Sequence, residues 1–202
     1  MLKRSVVLLL TLVCIAAHGD FEAGVKKGLN LATQYGFDRS AFQPEMARFF
    51  HIGLFADFPL FAPVRAEAQI AYSVRGRMDR GAGTVDELML ENVTVPFVLK
   101  LRLLESWFVA TAYAGAEAAF NLGGVRYSGS SAAMTTEALT RSERRLFDAG
   151  LVAGTETKFP LGPWLLLMDL RITVGLLPAV ELDGEKPRSA VVSVLVGYGL
   201  RL

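Results

Sequence analysis

From Asp20 to the C-terminus, apolar and polar residues alternate one by one along most of the chain. A period of two places successive side chains on opposite faces of an extended strand, whereas a helix would mix the two sets around its surface. The clearest stretch runs from Val64 to Val74. Val64, Ala66, Ala68, Ile70, Tyr72 and Val74 share one face, and Arg65, Glu67, Gln69, Ala71 and Ser73 share the other. The same reading predicts eight strands, over residues 21–31, 49–58, 64–74, 92–103, 107–120, 147–159, 164–176 and 190–202. Their apolar faces carry one charge, Lys27, although 20% of the chain is charged.

Alternation alone leaves two arrangements open. A soluble sandwich or lipocalin-like barrel turns its apolar faces inward, whereas a transmembrane barrel turns them out to lipid and keeps the polar set inside. Three features favour the membrane. Connections 32–48, 76–88, 121–146 and 177–189 are long and polar, while 59–63, 104–106 and 160–163 are tight. Phe58, Phe61, Trp107, Phe108, Phe159, Trp164 and Tyr198 gather near the tight turns, where an interfacial girdle would sit. Each span holds about ten residues or more, the length a tilted strand needs to cross hydrocarbon. In lipid no strand edge can stay unpaired, so the sheet must close. The predicted fold is all-β: an eight-stranded antiparallel up-and-down transmembrane β-barrel with long outer loops, short periplasmic turns and both termini on the periplasmic side.

Composition adds to this picture. The 202-residue chain is 52% hydrophobic, yet no uninterrupted apolar run reaches the roughly 20 residues of a spanning helix. At the N-terminus, basic Lys3 and Arg4, apolar Val6–Ala17 and the small residues of Ala17-His18-Gly19 read as a cleavable signal peptide over residues 1–19. That run is too short for an anchor, and Val13 is too large to precede a lipoprotein cysteine at Cys14. Cleavage near Gly19 leaves 20–202 as the barrel. Losing Lys3 and Arg4 from the 21 basic residues brings them into near balance with the 20 acidic ones, and no cysteine remains. Neither a disulfide framework nor a nucleic-acid partner is expected of such a chain.

An eight-stranded interior is just wide enough for side chains. The inward set includes Lys26, Arg65, Glu67, Lys100, Arg102, Glu117, Asp148, Glu156, Lys158, Asp169 and Arg171. Buried charges must be paired to be tolerated, so their near balance predicts a structural plug of ion pairs. A gated ion path is the functional alternative.

Short motifs recur in order along the barrel region: Gly24-Val-Lys-Lys-Gly-Leu-Asn30, Phe58-Pro-Leu60, Tyr72-Ser-Val-Arg-Gly76, Val95-Pro-Phe-Val-Leu-Lys100, Tyr113-Ala-Gly115 and Val196-Gly-Tyr-Gly-Leu-Arg-Leu202. In order and spacing they resemble the outer-membrane barrel domains of the PorT-like group, and more loosely the eight-stranded OmpA/OmpX type. The resemblance implies an outer-membrane location and a barrel, with no single activity. The last strand looks like a barrel-assembly signal, with Tyr198, Leu200 and Leu202 in phase. It departs from the pattern by ending in leucine where phenylalanine is usual. Two positions depart from barrel rules. Lys27 falls on the lipid face, where a mid-bilayer lysine costs about 2–4 kcal/mol, unless a bulge at the Lys26-Lys27 pair moves it inward. Pro96 removes a ladder donor inside a predicted strand.

Candidate chemistry is sparse. His51 is the one histidine after residue 19, and no serine lies beside it in sequence, so a rim residue is the plainer reading than a general base. One histidine without cysteine makes no metal-ligand cluster, and Leu122-Gly-Gly124 opens a loop instead of a phosphate-cradling helix. No enzyme activity and no cofactor are expected. The expected function is structural or surface interaction. Its partners are outer-membrane lipid, the barrel-assembly machinery and an extracellular ligand met by loops 32–48, 76–88 and 121–146. A transport-linked barrel for small apolar molecules is the alternative, and a soluble exported lipocalin-like binder is the third.

Overall fold

The computed structural model describes residues 21–35, 43–81, 84–130, 133–140, 143, 145–180 and 186–202, so the signal-peptide reading of residues 1–19 lies outside the described residues. Within them the alternating stretches form ten strands: β1 (Glu22–Tyr35), β2 (Gln43–Glu45), β3 (Ala47–Phe61), β4 (Val64–Gly81), β5 (Thr84–Glu105), β6 (Val109–Ser130), β7 (Ala133–Ala138), β8 (Phe147–Leu161), β9 (Trp164–Pro178) and β10 (Arg188–Arg201). Eight of them, all but β2 and β7, pair antiparallel with their sequence neighbours. β10 returns to β1 in an unbroken register from Glu22↔Arg201 to Tyr35↔Arg188. The sheet therefore closes into an eight-stranded up-and-down antiparallel barrel.

One end, here the near end, holds Phe21, Leu202 and the short turns. Ala62-Pro63 joins β3 to β4, Gly162-Pro163 joins β8 to β9, and residues 106–108 join β5 to β6. Gly162 has φ 68°, a left-handed conformation that costs glycine little. The opposite end, the far end, carries the longer connections.

The two faces of the wall differ sharply. Leu54, Ile70, Leu99, Leu151, Leu170 and Val194 point outward and are each more than half exposed. Asp57, Glu67, Lys100 and Glu156 point inward and are at most 1% exposed. A lipocalin-like binder needs the reverse arrangement, so the apolar face settles against that third reading. Aromatic rings cluster at both ends of the apolar wall. Trp107 packs on Phe108 and Phe159, and Trp164 stacks on Tyr198 at 5.1 Å, all near the short turns. Phe120 meets Phe147 at 5.4 Å toward the far end.

One sequence expectation changes and two open points are resolved. First, residues 76–88 and 121–146 are strand for much of their length. β4 runs on to Gly81, β5 begins at Thr84, β6 continues to Ser130, and β7 folds back on β6. With β2 paired to β4, these strands make a sheet that rises beyond the barrel wall. A bulge marks the boundary: Glu91 pairs with Gly123 and Asn92 with Asn121, leaving Leu122 extra on β6. The extra residue reverses which β6 side chains face inward, so the period of two breaks although the ladder continues.

Second, no bulge interrupts β1. Lys26 pairs with Gly197 and Lys27 with Val196 in continuous register, and Lys27 faces outward. Third, Pro96 is accommodated on one side only. The β5–β6 ladder passes through Pro96↔Glu117, whereas the β4–β5 ladder goes from Ala68↔Phe97 to Ala71↔Thr94 with no pairs between. A residue without an N–H can keep one ladder intact and open a gap in the other.

Candidate functional site

The lumen is where the sequence-predicted residues meet. Lys26 enters from β1 and Lys100 from β5, while Glu67 and Glu156 come from β4 and β8. Lys26 Nζ donates to Glu67 Oε1 at 2.9 Å, Glu156 Oε2 at 2.5 Å and Asp169 Oδ2 at 2.9 Å. Lys100 Nζ donates to the same two glutamates, at 2.6 Å for Glu156, and to Asp57 Oδ2 at 3.1 Å. Two ammonium groups and two carboxylates thus alternate around a ring across the barrel. This arrangement leaves no like charges adjacent without an opposite charge between them.

Further charges extend the ring toward both ends. On the near side, Lys158 donates to Glu22 and to Asp57 at 2.6 Å, and Arg65 Nε donates to Asp57 at 2.7 Å. On the far side, Arg171 donates to Asp169 and Gln69, each at 3.1 Å, and to the Tyr113 hydroxyl at 3.2 Å. The Tyr113 hydroxyl in turn donates to Asp169. Five cations (Lys26, Arg65, Lys100, Lys158, Arg171) face five carboxylates (Glu22, Asp57, Glu67, Glu156, Asp169), so the layer is neutral when all are ionised. Removing one member of such a set strands its partners without water, which is why every one of them is held by several contacts.

Local sequence makes room for this layer. A Cβ at Gly154 would lie 2.5 Å from the Tyr113 hydroxyl oxygen, and one at Gly197 would lie 3.1 Å from Lys26 Cγ. Glycine at both places lets long polar side chains lie flat against the wall. Phe55 points inward beside Lys26, whose Nζ is 5.1 Å from the ring centre, and it fills space that charge does not.

Other members of the predicted network lie elsewhere. Glu117 accepts from Arg75 Nη2 at 2.6 Å, farther along the lumen. Asp148 accepts from Ser189 at 3.2 Å beside a small far-end cavity lined by Gln34, Arg75, Asn92, Asn121 and Ser189, with room of about 10 Å³, enough for one water. Arg102 is corrected out of the network. It sits at the near rim beside the Arg102/Leu104 register shift and donates to Glu105 at 2.6 Å, a partly exposed pair. Tyr198 and Leu200 follow one another on the outward face of β10, and Leu202, just past its end, donates its N–H to Phe21 O.

Two constellations invite chemistry and do not fit it. Asp57, Glu67 and Glu156 converge as metal ligands do, but Lys100 Nζ already lies among all three. The ammonium takes the place of a cation. His51 lies opposite Ser73 in register, a serine that sequence adjacency did not reveal. Ser73 Oγ is engaged by Asn30 at 2.9 Å and Arg75 at 3.3 Å, while His51 Nε2 has no partner and the ring is buried. No hydrogen bond joins the two. Ala32, Ala47, Phe49, Val74 and Val191 form a buried apolar cluster.

No protein-family profile matches this sequence, and no curated protein is significantly similar to it. Solved structures are similar in fold. OprG, an outer membrane protein from Pseudomonas aeruginosa, aligns with TM-score 0.55 and 12% identity over 91% of this chain and 96% of that one. A major outer membrane protein from Thermus thermophilus gives TM-score 0.55 and 12% identity over 92% and 100%. Ail from Yersinia pestis aligns at TM-score 0.46 and 13% identity over 91% and 99%. The first two carry the conclusion. They support the resemblance to small outer-membrane barrels and give the PorT-like part of it no separate support. The chain has the closed, eight-stranded fold of outer-membrane β-barrels.

Proposed function

We propose that this protein is an integral outer-membrane barrel, an anchor with a filled lumen that holds a protruding sheet for contact outside the cell. One observation carries the membrane reading: the wall is apolar outside and ionic inside, the inverse of a water-soluble barrel. Lipid is the solvent that such a wall requires. The filled lumen weighs against conduction or passage of apolar molecules through the axis.

The contact role rests on the sheet above the wall. β7 pairs with β6 on one side, and its residues Ala133–Ala138 are exposed throughout. Among the described residues no strand pairs with its other edge, which offers N–H and C=O groups as the template on which an extended peptide adds as a strand. In this reading His51 packs the lumen and takes no part in catalysis. Outer-membrane fractionation followed by gel electrophoresis with and without boiling tests the anchor. The folded barrel should co-fractionate with the outer membrane and shift in mobility on heating. A monomer that stays folded in detergent-free buffer would refute it.

A further inference from the structure

Lys27 is the one charged side chain that β1 presents on the apolar wall, and nothing in the lumen neutralises it. The five cations and five carboxylates inside already balance without it. No ion pair or hydrogen bond reaches its ammonium among the described residues. The neighbours it meets in register are Val196 on β10 and Ile52 on β3. An ammonium held against such a surface needs an anion from outside the protein.

The surroundings are shaped for one. Lys27 lines an outward groove of about 380 Å³ with Val25, Leu166, Val196, Gly197 and Tyr198. The groove is almost wholly apolar apart from that single charge. It adjoins the stacked Trp164 and Tyr198 rings, which belong to the near-end girdle. Lys27 lies five residues along β1 from Glu22, about 13 Å from the near rim for a strand of ordinary rise and tilt. A lysine stem turned toward the girdle brings its ammonium to the depth where phosphates of the near leaflet begin.

From this combination we infer that the groove is a binding site for one anionic phospholipid of the near, periplasmic leaflet. The phosphodiester pairs with Lys27, and an acyl chain lies along Val25, Leu166 and Val196. A zwitterionic headgroup carries its own ammonium, which competes for the phosphate, so an anionic headgroup is preferred. A second copy of the chain is the poorer occupant. A two-fold contact centred on this groove would set Lys27 against Lys27 of the partner copy, with like charges facing each other in a low dielectric.

The inference rests on the proposed membrane location, and the experiment separates the two. Wild type, Lys27→Leu and Lys27→Arg are inserted into nanodiscs of equal parts phosphatidylglycerol and phosphatidylcholine. They are then released into mild detergent, and retained lipid is counted by native mass spectrometry. Wild type and Lys27→Arg should retain phosphatidylglycerol over phosphatidylcholine by about fivefold, the weight of one basic residue at a membrane surface. Lys27→Leu should insert equally well and show no preference. Equal preference in wild type and Lys27→Leu overturns the site while leaving the membrane location intact. Dimer masses in place of lipid adducts overturn it in favour of a subunit contact. Failure of wild type to enter the nanodisc overturns the site and the membrane location together.

Discussion

The barrel wall and the sheet that rises from it share strands β4, β5 and β6, yet charges toward the β7 edge of that sheet lie more open to water than those inside the wall. In the wall, one face is apolar and the other lines the lumen, and apart from Lys27 the central charges are multiply bonded, buried groups such as Lys26 and Glu156. In the rising sheet burial is uneven: Arg77 and Asp79 on β4 are still buried 2.9 Å apart, whereas pairing toward β7 is looser. Arg126 forks onto Asp86 at 2.8 and 3.0 Å with a side chain 27% exposed, and Ser128 and Thr135 bond each other across β6 and β7 in the open. The backbone ladder is the same in both. What differs is the cost of leaving a polar group without its partner, large where water is excluded and small where it is not.

Substitutions at matched places sharpen that contrast. Glu156→Leu should have the largest effect, because it leaves Lys26 and Lys100 short of a shared counter-charge inside the lumen. A loss of about 3–5 kcal/mol is expected, read as a lowered urea midpoint of the heat-modifiable form in liposomes. An unchanged midpoint would mean the lumen is wet enough to screen the pair. Next comes the outer wall. Leu170→Arg should cost about 2–4 kcal/mol in a bilayer, as arginine does near the midplane. The same substitution at Met134 on β7 should be tolerated, and equal costs at both places would erase the distinction between wall and sheet. Arg126→Ala should have the smallest effect, under about 1 kcal/mol, measured by the same unfolding transition. A loss as large as that of Glu156→Leu would show that the rising sheet is as dry as the lumen.

Particular residues show why some features were legible and others were not. The strand ends predicted at 92 and 120 coincide with the bulge that sets Glu91 against Gly123 and Asn92 against Asn121. Period-two reading stops at such a place because the inward set on β6 changes parity and the inward face of β5 turns apolar at Leu88 and Leu90, although hydrogen bonding goes on. Arg102 had the parity of a lumen residue, but another register shift lies between it and Leu104. Near the rim, Glu105 was within closer reach than any carboxylate of the central layer. His51 and Ser73 lie opposite each other only because β3 and β4 pair in that register.

Alternation is local, set by each strand's own residues and by the solvent on each side of it. For that reason alternation was enough to read the eight strands of the wall, the apolar outer face, the inward charges apart from Arg102 and the tight connections within 59–63, 104–106 and 160–163, while it put Lys27 outward but left a bulge open. Partner choice in the lumen is not local. Lys26 and Glu156 are 130 residues apart and meet only when strand stagger and closure of β10 on β1 bring them to one level. The tertiary structure therefore decided which ammonium meets which carboxylate, that β4, β5 and β6 run on past the wall as sheet, and that Lys27 lies beside a groove with no anion to pair it among the described residues.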